Sequence, residues 1–342
     1  MTTRSGDRRF LAQFKDANVI RLIFVTIIVF VIMSLLRPQL FLTARNFRSM
    51  GYQLAELGFY SMAMMMTMVS GGIDLSIIAI SNFSGIAAAF ILRAAALNGA
   101  AGFTLLLYGL LAVGVALLIG ILCGLLNGLI ISRLRIPAML VTLGTMNLFT
   151  GLAIILTKGK SVSGFPSQVL YLGNNTLLGL PIPLWFLIGG LIVTSILLER
   201  TSYGFELKFV GQNPIASLFT GMNNEKILAK TYVYSGILSA IVGLIVLTRT
   251  NSAKADFGQN YLFQAILCSV LGATNPDGGY GKVTCLTLAL ISLQFLSSGF
   301  NMLRLGGYHK EFAWGVLLLA VLTYNFIRER RMQRTGAARA KS

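Results

Sequence analysis

Apolar residues run along this chain in blocks of about twenty, separated by short stretches rich in Gly, Pro, Asn and basic side chains. A helix of about twenty residues is about 30 Å long, which matches the hydrocarbon core of a bilayer. The blocks predict about ten transmembrane helices, near residues 20–36, 50–69, 76–97, 103–131, 138–157, 183–198, 231–248, 261–273, 282–299 and 313–327. The expected fold class is an all-α membrane protein, a polytopic bundle of these helices with several short or broken. Its organisation divides into a basic N-terminal tail over 1–19, a transmembrane domain over 20–327 with a long polar segment at 199–230, and a basic C-terminal tail over 328–342.

Composition agrees with lipid as the main solvent. Over 342 residues the chain is 55% hydrophobic and only 11% charged, with a mean hydropathy of +0.76. Soluble domains carry roughly a quarter charged residues. The net charge of +17 would fit a nucleic-acid partner, but the basic residues fall between apolar blocks rather than along a stripe, so none is expected. Their placement instead sets orientation, because Lys and Arg stay on the cytoplasmic side. Seventeen of the 28 lie in the two tails and at Arg21, at Arg133 and Arg135, and at Arg200, Lys208, Lys226 and Lys230. With an even number of spans, all of these regions face the cytoplasm. The first 19 residues are polar and basic and no small-x-small cleavage site follows Arg21, so the first helix is expected to stay in the protein.

Two interruptions place Gly and Asp between apolar runs: Ser70-Gly71-Gly72-Ile73-Asp74-Leu75-Ser76 and Gly272 to Lys282. Broken backbone at membrane depth is tolerated only against protein or a water-filled cavity. The likeness of the two could also mark a duplicated architecture. Gly120, Gly124 and Gly128 recur every four residues on one helix face and predict close helix packing.

Chemistry has little raw material. There is one histidine, His309, beside Tyr308 and Lys310 in an expected outer loop, and no HExxH or GxSxG. Gly159-Lys160-Ser161 has Ile154 where a phosphate-binding loop needs glycine. No catalytic residue and no metal site are expected. Cys123, Cys268 and Cys285 lie in apolar runs and read as small core residues. Met62, Met64, Met65, Met66 and Met68 point all around a helix, which favours packing over thioether coordination of a metal. Asp74 is the carboxylate to explain: it either caps the helix that follows or meets a polar solute or a proton. Glu56 is nearly the only other acid in an expected span, too few for a proton-coupled carrier. Asp74, Asn147, Gln264 and Gln294 form the candidate solute path, with interhelical hydrogen bonding as the competing role.

The segment 199–230 is the longest polar stretch between spans. Asn213 is placed to cap a helix with Pro214 at its first position, and Gly221 to end it. Ile215, Leu218 and Phe219 then share a face suited to a partner's groove or, alternatively, to the lipid surface.

These features resemble one family, the ribose-type permeases of sugar ATP-binding-cassette importers, which also includes autoinducer-2 permeases. Val69 to Ser76 is similar to the family's Gly-Gly-Ile-Asp-Leu-Ser signature. Gly124-Leu125-Leu126-Asn127-Gly128, Ile136-Pro137-Ala138 and Val141-Thr142-Leu143-Gly144-Thr145 resemble its central pattern. Tyr203-Gly204, Gly211 to Asn213, Ala216 and Gly221 resemble its coupling segment, and Val270 to Ala273 with Gly278 to Gly281 its last glycine motif. The chain departs from the pattern at Ile77-Ile78, Ile215 and Asn275-Pro276-Asp277. The resemblance implies a bacterial inner-membrane permease subunit that imports a pentose, hexose or similar solute without altering it. It implies partners: a cassette ATPase that holds ATP and Mg, a second permease copy or paralogue, and a periplasmic binding protein. It implies no cofactor in this chain. Gly211, Asn213, Pro214, Ala216, Phe219, Thr220 and Gly221 would be its ATPase-coupling residues, with the cytoplasmic coupling helix over 213–221.

Overall fold

The computed structural model describes residues 17–339, with side chains described over 18–323 and at Ile327. Arg4, Arg8, Arg9 and Lys15 of the N-terminal tail, and the side chains of the tail over 328–342, lie outside that description. Fourteen helices follow one another among the described residues: α1 Ala17–Leu36, α2 Pro38–Phe41, α3 Ala44–Val69, α4 Ile77–Leu97, α5 Gly102–Leu134, α6 Ala138–Thr157, α7 Ser167–Asn174, α8 Ile182–Arg200, α9 Ser202–Gln212, α10 Pro214–Phe219, α11 Asn224–Thr250, α12 Tyr261–Leu271, α13 Val283–Met302 and α14 Gly307–Arg339. Two short antiparallel ladders add β1 (Val162–Ser163) with β4 (Ser252–Ala253), and β2 (Thr176–Leu177) with β3 (Leu180–Pro181).

Each apolar block of the sequence is helical. Seven helices, α1, α4, α5, α6, α8, α11 and α13, are long and apolar enough to cross a membrane among the described residues. The other three blocks are α3, α12 and α14. Polar Arg45, Arg48 and Glu56 dilute α3, yet it is the centre of the bundle: every residue from Ala55 to Val69 is buried. A helix buried all round needs small and polar residues as well as large apolar ones, because its neighbours must approach it closely. The five methionines lie in this core. α12 has only 11 residues, and α14 carries His309 on its first turn rather than in a loop.

The largest departure from the sequence reading is at 199–230, where one isolated helix was expected. Two helices, α9 and α10, fill it, and α11 already begins at Asn224. Thr201 caps α9 by accepting from the Gly204 N–H at 3.3 Å, so Tyr203-Gly204 opens a helix rather than a loop.

α11 is the second axis of the bundle and lies along both α5 and α4. A Cβ at Gly120 or Gly124 would overlap the carbonyl oxygen of Gly236 or Tyr232, and one at Gly128 would lie 2.7 Å from the Ala229 Cα. The expected glycine stripe is thus a backbone-to-backbone seam. The opposite face of α5, with Leu106, Leu107, Leu110, Leu111, Leu118 and Leu122, is exposed, as lipid contact requires.

Contacts define the two ends of the bundle. At one end Arg133 and Glu225 approach to 3.8 Å, and the α3–α4 turn meets both α6 and the end of α9. At the other, Tyr52 donates to the Asn174 carbonyl at 2.6 Å, Asn82 donates to the carbonyls of Ala255 and Phe257, and β1 pairs with β4.

Candidate functional site

α10 is short, and its ends are fully specified by sequence. Asn213 Oδ1 accepts from the Ile215 and Ala216 N–H groups at 3.1 and 2.9 Å, while Pro214 has no N–H to satisfy. At the far end Met222 N–H donates to the Ser217 carbonyl and Gly221 N–H to that of Leu218, around Gly221 at φ +81°. That pattern ends the helix after Thr220 and needs a left-handed residue. Ile215, Leu218 and Phe219 are 69, 54 and 88% exposed, so the shared apolar face points away from the bundle. Ser217 faces inward and donates to Asn224 Oδ1 at 2.9 Å, holding α10 against the start of α11.

Behind α10, three separated pieces of sequence meet through glycines. Gly211, near the end of α9, touches the last carbonyl of α3, so a Cβ there would overlap the Val69 oxygen. The Gly279 N–H donates to that same oxygen at 2.9 Å. A Cβ at Gly278 would lie 2.5 Å from the Gly211 oxygen, and one at Gly279 would lie 2.9 Å from the Gln212 Cβ. The two interruptions therefore join each other and α9 at a single point. The second is tied down further, since Glu199 Oε1 at the end of α8 accepts from the Val283 N–H at 3.3 Å. Burial pulls the Lys208 ammonium below its ordinary range, opposed by Glu199 and reinforced by Lys282.

Asp74 sits one turn away and is completely buried. Its Oδ1 accepts from the Ser76 N–H at 3.0 Å and the Ser76 hydroxyl at 2.6 Å, and its Oδ2 from the Ser235 hydroxyl at 2.8 Å. Asn127 in turn donates to Ser76 Oγ at 2.8 Å. The carboxylate thus closes the turn before α4, whose N-cap is Ser76, and ties it to α11 and, through Ser76, to α5.

The other expected path residues have different surroundings. Asn147 is exposed on α6 and donates to its own helix at the Leu143 carbonyl; Gln264 is half-buried on α12; Gln294 is buried on α13 and donates to Gln53 at 3.2 Å. The sequence reading missed the most prominent buried charge pair, Glu56 with Arg249, to which Tyr261 adds a hydrogen bond at 2.9 Å. Arg249 falls just past the expected span 231–248, so nothing in local pattern marked it as Glu56's partner. Cys123, Cys268 and Cys285 are buried thiols, in no disulfide among the described residues.

A bundle of apolar helices with two broken passages, and a short helix whose apolar face is exposed, fits a transport permease. The chain belongs to a family of such subunits, described as the branched-chain amino acid transport system permease component, whose family model matches residues 46–324. Among curated relatives, a ribose import permease of Haemophilus influenzae is 29% identical over 90% of this chain and 93% of its own length. The ribose import permease of Bacillus subtilis is 29% identical over 86% of this chain and 89% of its own. An autoinducer 2 import system permease of Yersinia enterocolitica is 30% identical over 78% of this chain and 79% of its own. No solved structure matches the chain.

Proposed function

We propose that this chain is the membrane permease subunit of an ATP-binding-cassette importer for a small sugar of pentose or hexose type. The solute arrives on a periplasmic binding protein and crosses without chemical change. ATP and Mg are held by a separate cassette ATPase, and α10 docks in that subunit's cleft with Phe219 as its most exposed anchor. A second copy or paralogue completes the membrane portion. The basic regions at Arg133, Arg135, Arg200, Lys208, Lys226 and Lys230 support an inner-membrane orientation in which α10 and both termini face the cytoplasm. In that frame Asp74 lies toward the cytoplasm and Glu56 toward the periplasm, and Asp74, Asn147, Gln264 and Gln294 remain candidates for the solute path.

The observation that carries this reading is the exposed face of Ile215, Leu218 and Phe219 on a rigidly capped helix, within a chain of the permease family. The relatives' names supply the substrate class. An autoinducer-2 solute is the second reading, favoured by the similarity to the Yersinia protein.

Purification of the tagged protein from its native membrane in mild detergent, followed by mass spectrometry, tests the assignment. A cassette ATPase in near-stoichiometric amount is expected; a stable preparation without one points to an autonomous carrier. Phe219→Asp and Gly221→Pro should each abolish ATP-dependent uptake while the subunit stays in the membrane, and uptake at the wild-type rate in both would sink the docking assignment.

A further inference from the structure

Resting on the reading of α10 as the ATPase-docking helix, we propose that the Gly211, Gly278 and Gly279 junction is the mechanical link that carries movement of α10 to both interrupted membrane passages at once. Only Asn213 separates α9 from α10. Its side chain caps α10 and its N–H donates to the Phe209 carbonyl at 3.1 Å, closing α9, so the two helices form one bent body with no slack residue between them. The near end of α9 is pinned: Tyr203 shares a hydrogen bond with Thr231 of α11 at 2.7 Å, and Gly204 is pressed against the Leu198 carbonyl. The far end bears on the junction. α9 is thus a lever, with its pivot against α8 and α11 and its working point at Gly211.

What Gly211 bears on is backbone, not flexible side chain. Close-packed backbone has little compliance, so a small displacement is passed on rather than absorbed. The Val69 carbonyl receives it at the end of α3, and the Gly279 N–H bonded to that oxygen conveys it to the loop before α13. Gly71, Gly278 and Gly279 have φ of +81, +95 and +81°, a region open to glycine that lets such turns act as hinges. These glycines are positioning residues and need not touch the solute.

The test uses the complex copurified with its ATPase and compares nucleotide-free protein with protein holding Mg and a non-hydrolysable ATP analogue. Hydrogen–deuterium exchange is followed at 69–76 and 275–282. In the wild type, exchange in both segments should change together on nucleotide addition, by about tenfold. In Gly211→Ala and Gly278→Ala, the ATPase should still copurify and exchange at 214–222 should still respond, but the response at the two turns should be lost. Gly144→Ala, at an open position, should behave as wild type. Turns insensitive to nucleotide in the wild type, or equally sensitive in Gly211→Ala, overturn the proposal even if the variants fold poorly, because the first result needs no variant. A wild-type preparation without any ATPase overturns the docking assignment and this proposal together.

Discussion

Arg249, on the last turn of α11, places its Nε 2.6 Å from Oε1 of Glu56, a side chain of α3 with no exposed surface. Tyr261 donates to the other carboxylate oxygen, and Tyr261 packs its ring on Tyr60, whose hydroxyl donates to Ser81 of α4. One buried charge pair therefore joins α3, α4, α11 and α12. Removing one partner strands the other charge, which costs about 3 kcal/mol in such settings, whereas replacing both with apolar groups of similar volume is close to neutral. Glu56→Gln should lower the thermal unfolding midpoint in detergent, and Glu56→Leu with Arg249→Met should recover most of the loss. An unchanged midpoint in Glu56→Gln would show that the pair carries no stability.

The seam between α5 and α11 makes opposite predictions for glycines on one helix. Gly124→Ala drives a methyl into the Tyr232 carbonyl and should destabilise the protein by about 1–3 kcal/mol through overpacking. Gly114→Ala, with open space around it, should be neutral or stabilising by up to about 1 kcal/mol from helix propensity. Thermal unfolding of the pair decides it, and equal midpoints would refute the seam.

Asn213→Ala removes the cap of α10 and should cost that helix about 1 kcal/mol. Amide exchange at Ile215 and Ala216 should rise several-fold, with α3 and α11 unaffected. Exchange unchanged at those two amides would mean that packing through Ser217 alone holds α10.

Asp74→Ala deletes the acceptor of one backbone and two hydroxyl donors, all three buried. Hydrogen bonds to a charged group are each worth about 1.5–3 kcal/mol. The variant should fall well below wild type in its yield of folded protein, and Asn127→Leu, which keeps all three, should lose less. The reverse order would assign Asp74 a role other than closing its turn.

How legible this was in the sequence varied with the range of the physics involved. Helix existence rests on local hydropathy and period, so every apolar block became a helix, including α3, whose Arg45, Arg48 and Glu56 weaken the signal. Capping is equally local, and Asn213, Pro214 and Gly221 announced α10. α9 was missed because its residues are neither apolar enough for a span nor flanked by a strong stop: Gln212 runs straight into the next cap. The contacts that build the site are long-range. Gly211 and Gly279 each look like loop glycines, and only folding brings them against Val69. Glu56 and Arg249 stand 193 positions apart by residue number, so neither could name the other.

α12 has a consequence for how a solute meets this protein. Its 11 residues make a rod about 16 Å long, close to half the hydrocarbon thickness of a bilayer. It is flanked by irregular backbone at 254–260 and 272–282, which at membrane depth only neighbouring protein or water can satisfy. Under the proposed function, a solute path beside α12 would meet an apolar barrier set by this short rod. A polar molecule passing there would leave its hydration shell over about 16 Å rather than about 30 Å.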